Sequence, residues 1–511
     1  MAEYQLLAGD GCRRKLQNSR CSYVVDYALI ASMGSAMSGY CGGVMSGAVL
    51  FIKKDLQISY IQEELLMGSL VLVSIVGGII AGLLADIIGR KKSMLVAAII
   101  VIAGCITMGL APSFSVLLLG RLITGIGYGI PFVLVPLYIA EVSPTEVRGR
   151  FLSFPEIFVN SGILLGYISS FCLAELPAHI NWRLMVGLGA LPAIFLACGV
   201  FVIPESPRWL VLQGRIDDAL STLIDTSDHE SEAEQRLNDI VLAANAGSKN
   251  TILGSGSAKL STDPEQNEMV NSEESGVRLG TATHTHQILH VWLQLLWPTP
   301  NLRFILFLAL GLQFFQQASG VSALMYYSPA IFGEAGSYSS LGELGATVMV
   351  GIAKVVFIAV ATVFLDRLGR RPLLLISSVG MTASLLTLTL RFTVLEIVPK
   401  SFTVPNLPGY LTIAACCSFM AFFSVGFGPT CSLLPSELFP LRLRAQGMSL
   451  TTIWNRLLSG LVSLTFLTII KVTGPAETFL VFAGIATVSV LFVYYFIPET
   501  KGKTLEELTR Y

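Results

Sequence analysis

Residues 82–92 read Gly-Leu-Leu-Ala-Asp-Ile-Ile-Gly-Arg-Lys-Lys, and the centre of that phrase, Asp86-x-x-Gly89-Arg90-Lys91, returns as Asp366-x-x-Gly369-Arg370-Arg371. Two more charged phrases return in the same order. Glu141 precedes Arg148 as Glu437 precedes Arg444, and Pro204-Glu205-Ser206 returns as Pro498-Glu499-Thr500. Long apolar runs lie between them, at about 27–50, 65–85, 93–111, 116–139, 154–174 and 184–203, then at about 304–328, 345–365, 372–390, 409–435, 446–470 and 478–497. A helix needs about 20 apolar residues to cross a bilayer. Unbroken runs of that length suit helices, whereas barrel strands would alternate. The expected fold is therefore an all-α membrane protein of twelve transmembrane helices. The repeated phrases divide it into two six-helix halves related by an axis along the membrane normal.

Composition agrees. Of 511 residues, 53% are hydrophobic and 13% charged, where a soluble protein carries about 25% charged residues. Thirty-three basic against 34 acidic residues leave a formal charge of −1, without the basic excess of a nucleic-acid binder. The nine cysteines have neither metal-ligand nor disulfide-framework spacing and read as small buried hydrophobes. No cofactor is implied, and the expected surroundings are a lipid bilayer and a monomeric state. The first residues are polar, with no short apolar core and cleavage site of a signal peptide.

The expected division is a cytoplasmic N-tail (1–26), a first half (27–203), a central loop (204–300), a second half (301–497) and a C-tail (498–511). Arg90 to Lys92, Arg148 with Arg150, Arg367 with Arg370 and Arg371, and Arg442 with Arg444 fall in even-numbered loops. By the positive-inside rule those loops and both termini are cytoplasmic. Lys53 and Lys54 are the main exceptions. Within the central loop, Asp217 to Ala244 has helical spacing, 246–282 has the composition of a disordered linker, and Gln287 to Leu296 reads as a surface-lying amphipathic helix.

Seven phrases resemble those of one family, the sugar porters of the major facilitator superfamily. They are Gly82-x-x-x-Asp86-x-x-Gly89-Arg90-Lys91, Gly120-Arg121, Pro136-Leu137-Tyr138-Ile139-Ala140-Glu141, Pro204-Glu205-Ser206-Pro207-Arg208-Trp209, Gln316-Gln317-x-Ser319-Gly320, Ser436-Glu437-Leu438-Phe439-Pro440 and Pro498-Glu499-Thr500-Lys501-Gly502. Ser153-Phe154-Pro155-Glu156 and the stretch from Phe439 to Gln446 resemble the plant polyol and monosaccharide subgroup. The resemblance implies a transporter of a monosaccharide or polyol, H+ symport, and a plasma-membrane location with the vacuolar membrane second.

A sugar offers hydroxyls and an apolar carbon face, so its site needs amide, hydroxyl and carboxylate partners inside the bundle. Gln313, Gln316 and Gln317 sit in an otherwise apolar seventh run, where each needs a partner. Gln313, Gln317 and Gly320 share roughly one helical face, with Gln316 adjacent. The resemblance assigns Gln316 and Gln317 to the sugar site, with Ser322, Tyr326, Lys354, Glu156 and Asn455 at or near it. Four ionisable residues fall within spans: Arg121, Glu156, Lys354 and Arg456. Each such charge costs about 2.5–3.5 kcal/mol at a helix centre, so each is expected to face a partner or a cavity. Glu156 is expected to pair with Lys354 or Arg456. At the basic loops, Asp86, Arg90, Glu141, Arg148, Asp366, Arg370, Glu437 and Arg444 are candidate gate residues, their alternative role being to anchor topology.

Three positions depart from the family pattern. Proton-coupled members carry an aspartate after Gly-Tyr in the first helix, working with the fourth-helix arginine; this chain has Gly39-Tyr40-Cys41 and keeps Arg121. A thiol, with a reference pKa near 8.5, is no carboxylate, so the proton site reads as lost unless Glu156 replaces it. Proton symport and facilitated diffusion both stand as readings. Ser432 replaces a sugar-stacking tryptophan, and Ser322 replaces the subgroup's aspartate. A non-transporting sugar sensor is the reading from another class; the short stretch after Pro498 speaks against it. No nucleotide loop, metal cluster or nucleophile–base phrase supports an enzyme.

Overall fold

The computed structural model describes residues 2–144, 148–227, 229–253, 300–334, 339–397, 407–439 and 443–499, with side chains from Tyr23 onward apart from those of a few helical residues, Arg148, Asp366 and Arg444 among them. Described in this way, the chain is nearly all helical. In the first half the spans are Tyr23–Leu56, Tyr60–Ile88, Arg90–Gly109, Phe114–Val142, Phe154–Cys172 and Ala178–Val200. In the second they are Leu302–Glu334, Ser340–Thr362, Arg370–Val394, Gly409–Leu438, Gln446–Thr473 and Pro475–Phe496. Eleven of these are long and apolar enough to cross a membrane by composition alone. The fifth, 19 residues, carries Pro155, Glu156 and Asn160 and lies packed along the first span.

Local signals account for the ends. Ser59 and Gln62 form a reciprocal capping box that starts the second span, Ser59 N–H donating to the Gln62 side chain at 2.9 Å. The first helix begins at Ala2, so it runs back through the polar tail that the sequence sets apart.

Packing within each half uses small residues, since lipid supplies no hydrophobic drive between helices. A Cβ on Gly39 would run into the Val159 carbonyl, and one on Gly162 into the Ala36 carbonyl, so the first and fifth spans touch backbone to backbone. Outward faces are apolar, with Leu83 63% and Ile79 55% exposed, as a lipid-facing surface requires.

Between the halves lie the helices Pro207–Leu212, Ile216–Thr226 and Glu230–Leu253; the first precedes the stretch expected to be helical. The last runs on through 246–253, against the disorder expected from 246, because Ala243, Ala244 and Ala246 favour continuing the helix. Arg236 donates to the Ser227 hydroxyl at 2.9 Å and to the Val142 carbonyl at 3.1 Å, docking the third of them on the end of the fourth span. Residues 254–282 of the expected linker, the surface helix at Gln287 to Leu296 and the tail from Thr500 lie outside the described residues.

Three spans are broken, the sixth only mildly, between Ala178–Gly187 and Ala190–Val200, where Leu188 and Gly189 keep right-handed helical backbone angles. The seventh consists of Pro300–Ala318 and Val321–Glu334, parted at Gly320 with φ +88°. A Cβ there would meet the Phe482 ring at 2.7 Å, so both backbone and packing call for glycine. The tenth consists of Leu407–Val425 and Phe427–Leu438, parted at Gly426.

Candidate functional site

The polar cluster gathers beside the breaks in the seventh and tenth spans, and one carbonyl it uses, that of Cys431, is left free because Pro435 four residues on has no N–H. Gln316 Nε2 donates to the Phe427 carbonyl at 3.1 Å and Gln313 Nε2 to the Cys431 carbonyl at 2.8 Å. Their side-chain oxygens turn the other way. Asn455 Nδ2 donates to Gln313 Oε1 and to Gln316 Oε1, both at 2.6 Å. Gln317 Nε2 donates to Asn455 Oδ1 at 3.3 Å. Ser322, just past the break, donates to Gln317 Oε1 at 2.8 Å and lies 2.7 Å from the Ser459 hydroxyl. Three glutamines, one asparagine and two serines thus form one hydrogen-bonded circuit joining the seventh and eleventh spans. The glutamines are 6–8% exposed. Burial of so many amides is tolerable because each finds a partner.

Other expected site residues sit apart from the circuit. Tyr326, 2% exposed, lies against Gly42 of the first span. Ser432 is exposed, and its hydroxyl donates to Pro429 O in its own helix at 3.1 Å. Neither ion pair expected of Glu156 forms. Lys354 Nζ instead lies 3.3 Å from Met325 Sδ, and Arg456 stacks over the Phe132 ring at 3.9 Å, while Glu156 Oε1 accepts from Asn160 at 3.2 Å. Arg456 and Phe132 belong to opposite halves, so a ring face holds the cation that the sequence offers to a carboxylate.

Arg121 is fully buried. Its Nη1 donates to Cys41 O at 2.8 Å and its Nε to Leu66 O at 3.1 Å; Nη2 has no partner among the described residues. The Cys41 side chain faces that of Cys105. The partner expected of Arg121 is therefore backbone, not a carboxylate.

At the basic loops the two halves repeat one construction. Arg90 Nε and Nη2 meet Glu141 at 2.9 and 3.1 Å, a buried two-point pair between the third and fourth spans. Arg370 Nη2 meets Glu437 at 2.8 Å between the ninth and tenth. Both pairs lie within a half. Asp86 is 3.7 Å from Arg90 with its side chain 79% exposed. The side chains of Arg148, Asp366 and Arg444 lie outside the described residues.

Sequence reasoning took Glu205 and Glu499 only as parts of phrases. Glu205 Oε1 accepts the N–H groups of Arg90 and Lys91 at 2.9 and 3.1 Å. Glu499 accepts those of Arg370 and Arg371, each at 3.1 Å. Each carboxylate therefore caps a spanning helix from another part of the chain, on unpaired N–H groups and the positive end of the dipole. Their repetition after each sixth span was the available signal.

Contacts joining the halves gather at the end away from the basic loops. Glu64, 4% exposed, accepts from Thr468 N at 2.6 Å and from Thr468 Oγ1 at 2.7 Å. Lys471 lies 3.8 Å from the Tyr60 ring centroid, and Leu464 packs over Gly68. Deeper in, Tyr167 OH donates to Met325 O at 2.6 Å.

Comparisons with known proteins agree with this architecture. Residues 27–511 match the family model described as "Sugar (and other) transporter". "Probable polyol transporter 4" of Arabidopsis thaliana is 43% identical over 493 residues, covering 96% of this chain and 86% of that protein. "Polyol transporter 5" of the same plant is 44% identical over 490 residues, with the same coverage of 96% and 86%. Among solved structures, the partially occluded inward-open xylose transporter XylE from E. coli aligns with a TM-score of 0.73 at 24% identity, over 94% of this chain and all of that one. That likeness bears on the fold.

Proposed function

The chain belongs to the sugar transporter family of the major facilitator superfamily, and from that premise we propose that it carries a monosaccharide or polyol by alternating access, with the circuit of Gln313, Gln316, Gln317, Asn455 and Ser322 as its substrate site. It is a multi-pass membrane transporter and not an enzyme. The circuit carries the reading. Amides and hydroxyls that both donate and accept, set at a break in a spanning helix, suit a neutral polyhydroxyl cargo. Polyols come before other sugars because the similar plant proteins are called polyol transporters.

The halves meet through Glu64, Thr468, Tyr167 and Met325 at and towards the end away from the basic loops. With the basic loops cytoplasmic, this is an inward-facing arrangement of a plasma-membrane carrier. Arg90–Glu141 and Arg370–Glu437 then stiffen the gating ends of each half, leaving the halves free to rock as units.

On coupling, Arg121 has no carboxylate partner among the described residues, which favours facilitated diffusion. Proton symport through Glu156 is the second reading; Glu156 is a carboxylate within a span that has no cation within 4 Å among the described residues, Asn160 being its hydrogen-bond partner. Uptake of a labelled polyol and monosaccharide panel into vesicles tests both. Flux lowered by Gln317→Ala is expected, and no flux for any member would sink the transport reading. Uptake that collapses with the proton gradient, and not in Glu156→Gln, would favour symport.

A further inference from the structure

A cavity of about 110 Å³ opens at the end of the bundle away from the basic loops, outside the glutamine circuit. Its floor is aromatic. Phe392, Phe466 and Phe479 line it, each no more than 2% exposed, with the Phe392 and Phe479 rings stacked at 5.5 Å. Its mouth is charged. Lys53 and Glu63 line it already paired at 3.0 Å. Lys471 lies over the Tyr60 ring at 3.8 Å, and neither Lys471 nor Glu334, which also lines the mouth, has an opposite charge within 4 Å among the described residues.

Those features select a ligand class. An engineered apolar cavity of about 150 Å³ takes one benzene, so this smaller, partly open space takes a single ring and not a hexose. A phenyl floor favours an aromatic ring in offset or edge contact. A carboxylate on that ring would meet Glu334, and an ammonium would meet Lys471. A neutral hydroxyl satisfies both, accepting from the ammonium and donating to the carboxylate.

Where the walls come from gives the site its consequence. Tyr60, Lys53 and Glu63 belong to the first half, and Phe466, Lys471 and Phe479 to the second. The cavity therefore exists only while the halves meet at this end. A ligand that binds one of two states shifts the equilibrium toward it by its differential affinity. We infer that this cavity is a binding site for a small neutral phenol, and that its occupant holds the carrier closed at this end. The site is independent of which sugar is carried.

Phenol itself is the probe, at millimolar concentration, as suits a ligand of seven heavy atoms. Purified full-length protein is followed by thermal unfolding, and reconstituted vesicles by labelled uptake. Phenol should raise the Tm of the native protein and lower its maximal uptake rate, and added sugar should not reverse the inhibition. Benzoate and benzylammonium should need at least about ten-fold higher concentrations. Lys471→Met, or Ala330→Leu at the cavity wall should the first not fold, should raise the half-effective phenol concentration at least about ten-fold. Equal effects on native and variant protein would mean partition into lipid or detergent and would overturn the proposal. So would relief of inhibition by sugar, or no Tm shift in the native protein.

Discussion

Glu205 and Glu499 stand in the same relation to the two halves: each carboxylate accepts the backbone N–H groups of the two basic residues that begin a spanning helix, Arg90 with Lys91 and Arg370 with Arg371. Gly89 at φ +94° and Gly369 at φ +91° let the chain turn close beneath each carboxylate; a Cβ at either would strike it. Both carboxylates are partly buried, and removing such an acceptor strands its donors at a cost towards the lower end of about 1–3 kcal/mol. Glu205→Ala and Glu499→Ala should each lower the unfolding temperature by similar amounts, with the glutamine variants in between. Loss of stability in one half alone would show that the two caps are not equivalent.

Asn455 supplies both of its N–H bonds to glutamine oxygens. Asn455→Asp keeps the shape and removes both donors, setting carboxylate oxygens against Gln313 Oε1 and Gln316 Oε1. We expect KM for the transported sugar to rise at least about ten-fold, the equivalent of about 1.4 kcal/mol, in Asn455→Asp as in Asn455→Ala. Uptake kinetics with surface expression controlled would check it. An unchanged KM in the aspartate variant would remove the circuit from the substrate site.

Cys41→Asp would place a carboxylate beside a guanidinium whose Nη2 has no partner among the described residues. Breaking or lacking one member of a buried pair is costly, and supplying it should be tolerated. The expected outcome is sugar-dependent inward current in the variant, with little in the native protein. Native current as large as the variant's would place coupling elsewhere, with Glu156 the first residue to replace.

The Glu64–Thr468 contact bridges the halves through both carboxylate oxygens. Its loss in Glu64→Ala should shift the population toward the state open at that end. A cysteine introduced by Leu464→Cys, packed over Gly68 in the native arrangement, reports this. Labelling by a membrane-impermeant thiol reagent should speed up about ten-fold or more in the Glu64→Ala background. Equal labelling rates would mean the contact does not bias the two states.

Helix positions were legible because a bilayer forces backbone hydrogen bonds to close within each apolar run. The runs at 65–85 and 446–470 differ from the spans Tyr60–Ile88 and Gln446–Thr473 only where helices continue past the apolar stretch. The glutamines were legible as polar residues on an apolar face. Their organisation was not. Asn455 lies far along the chain, and only folding makes it the hub of the circuit. Glu156 was misread for a related reason: a sequence shows which charges lie in the membrane, not that Phe132 would take Arg456 and Met325 would take Lys354. Backbone breaks hide too, since Gly320 and Gly426 are two among 47 glycines.

With the amide network as the proposed substrate site, its branching from Asn455 has a kinetic meaning. A site whose groups already bond one another would offer a sugar an exchange: old hydrogen bonds are surrendered as new ones form, and only the small difference remains as binding energy. Such a pocket recognises hydroxyl geometry without gripping it. When the cargo leaves, the side chains rejoin their neighbours rather than facing a vacuum, so release meets little resistance. For a protein that must let go on every cycle, that self-sufficiency favours turnover over retention.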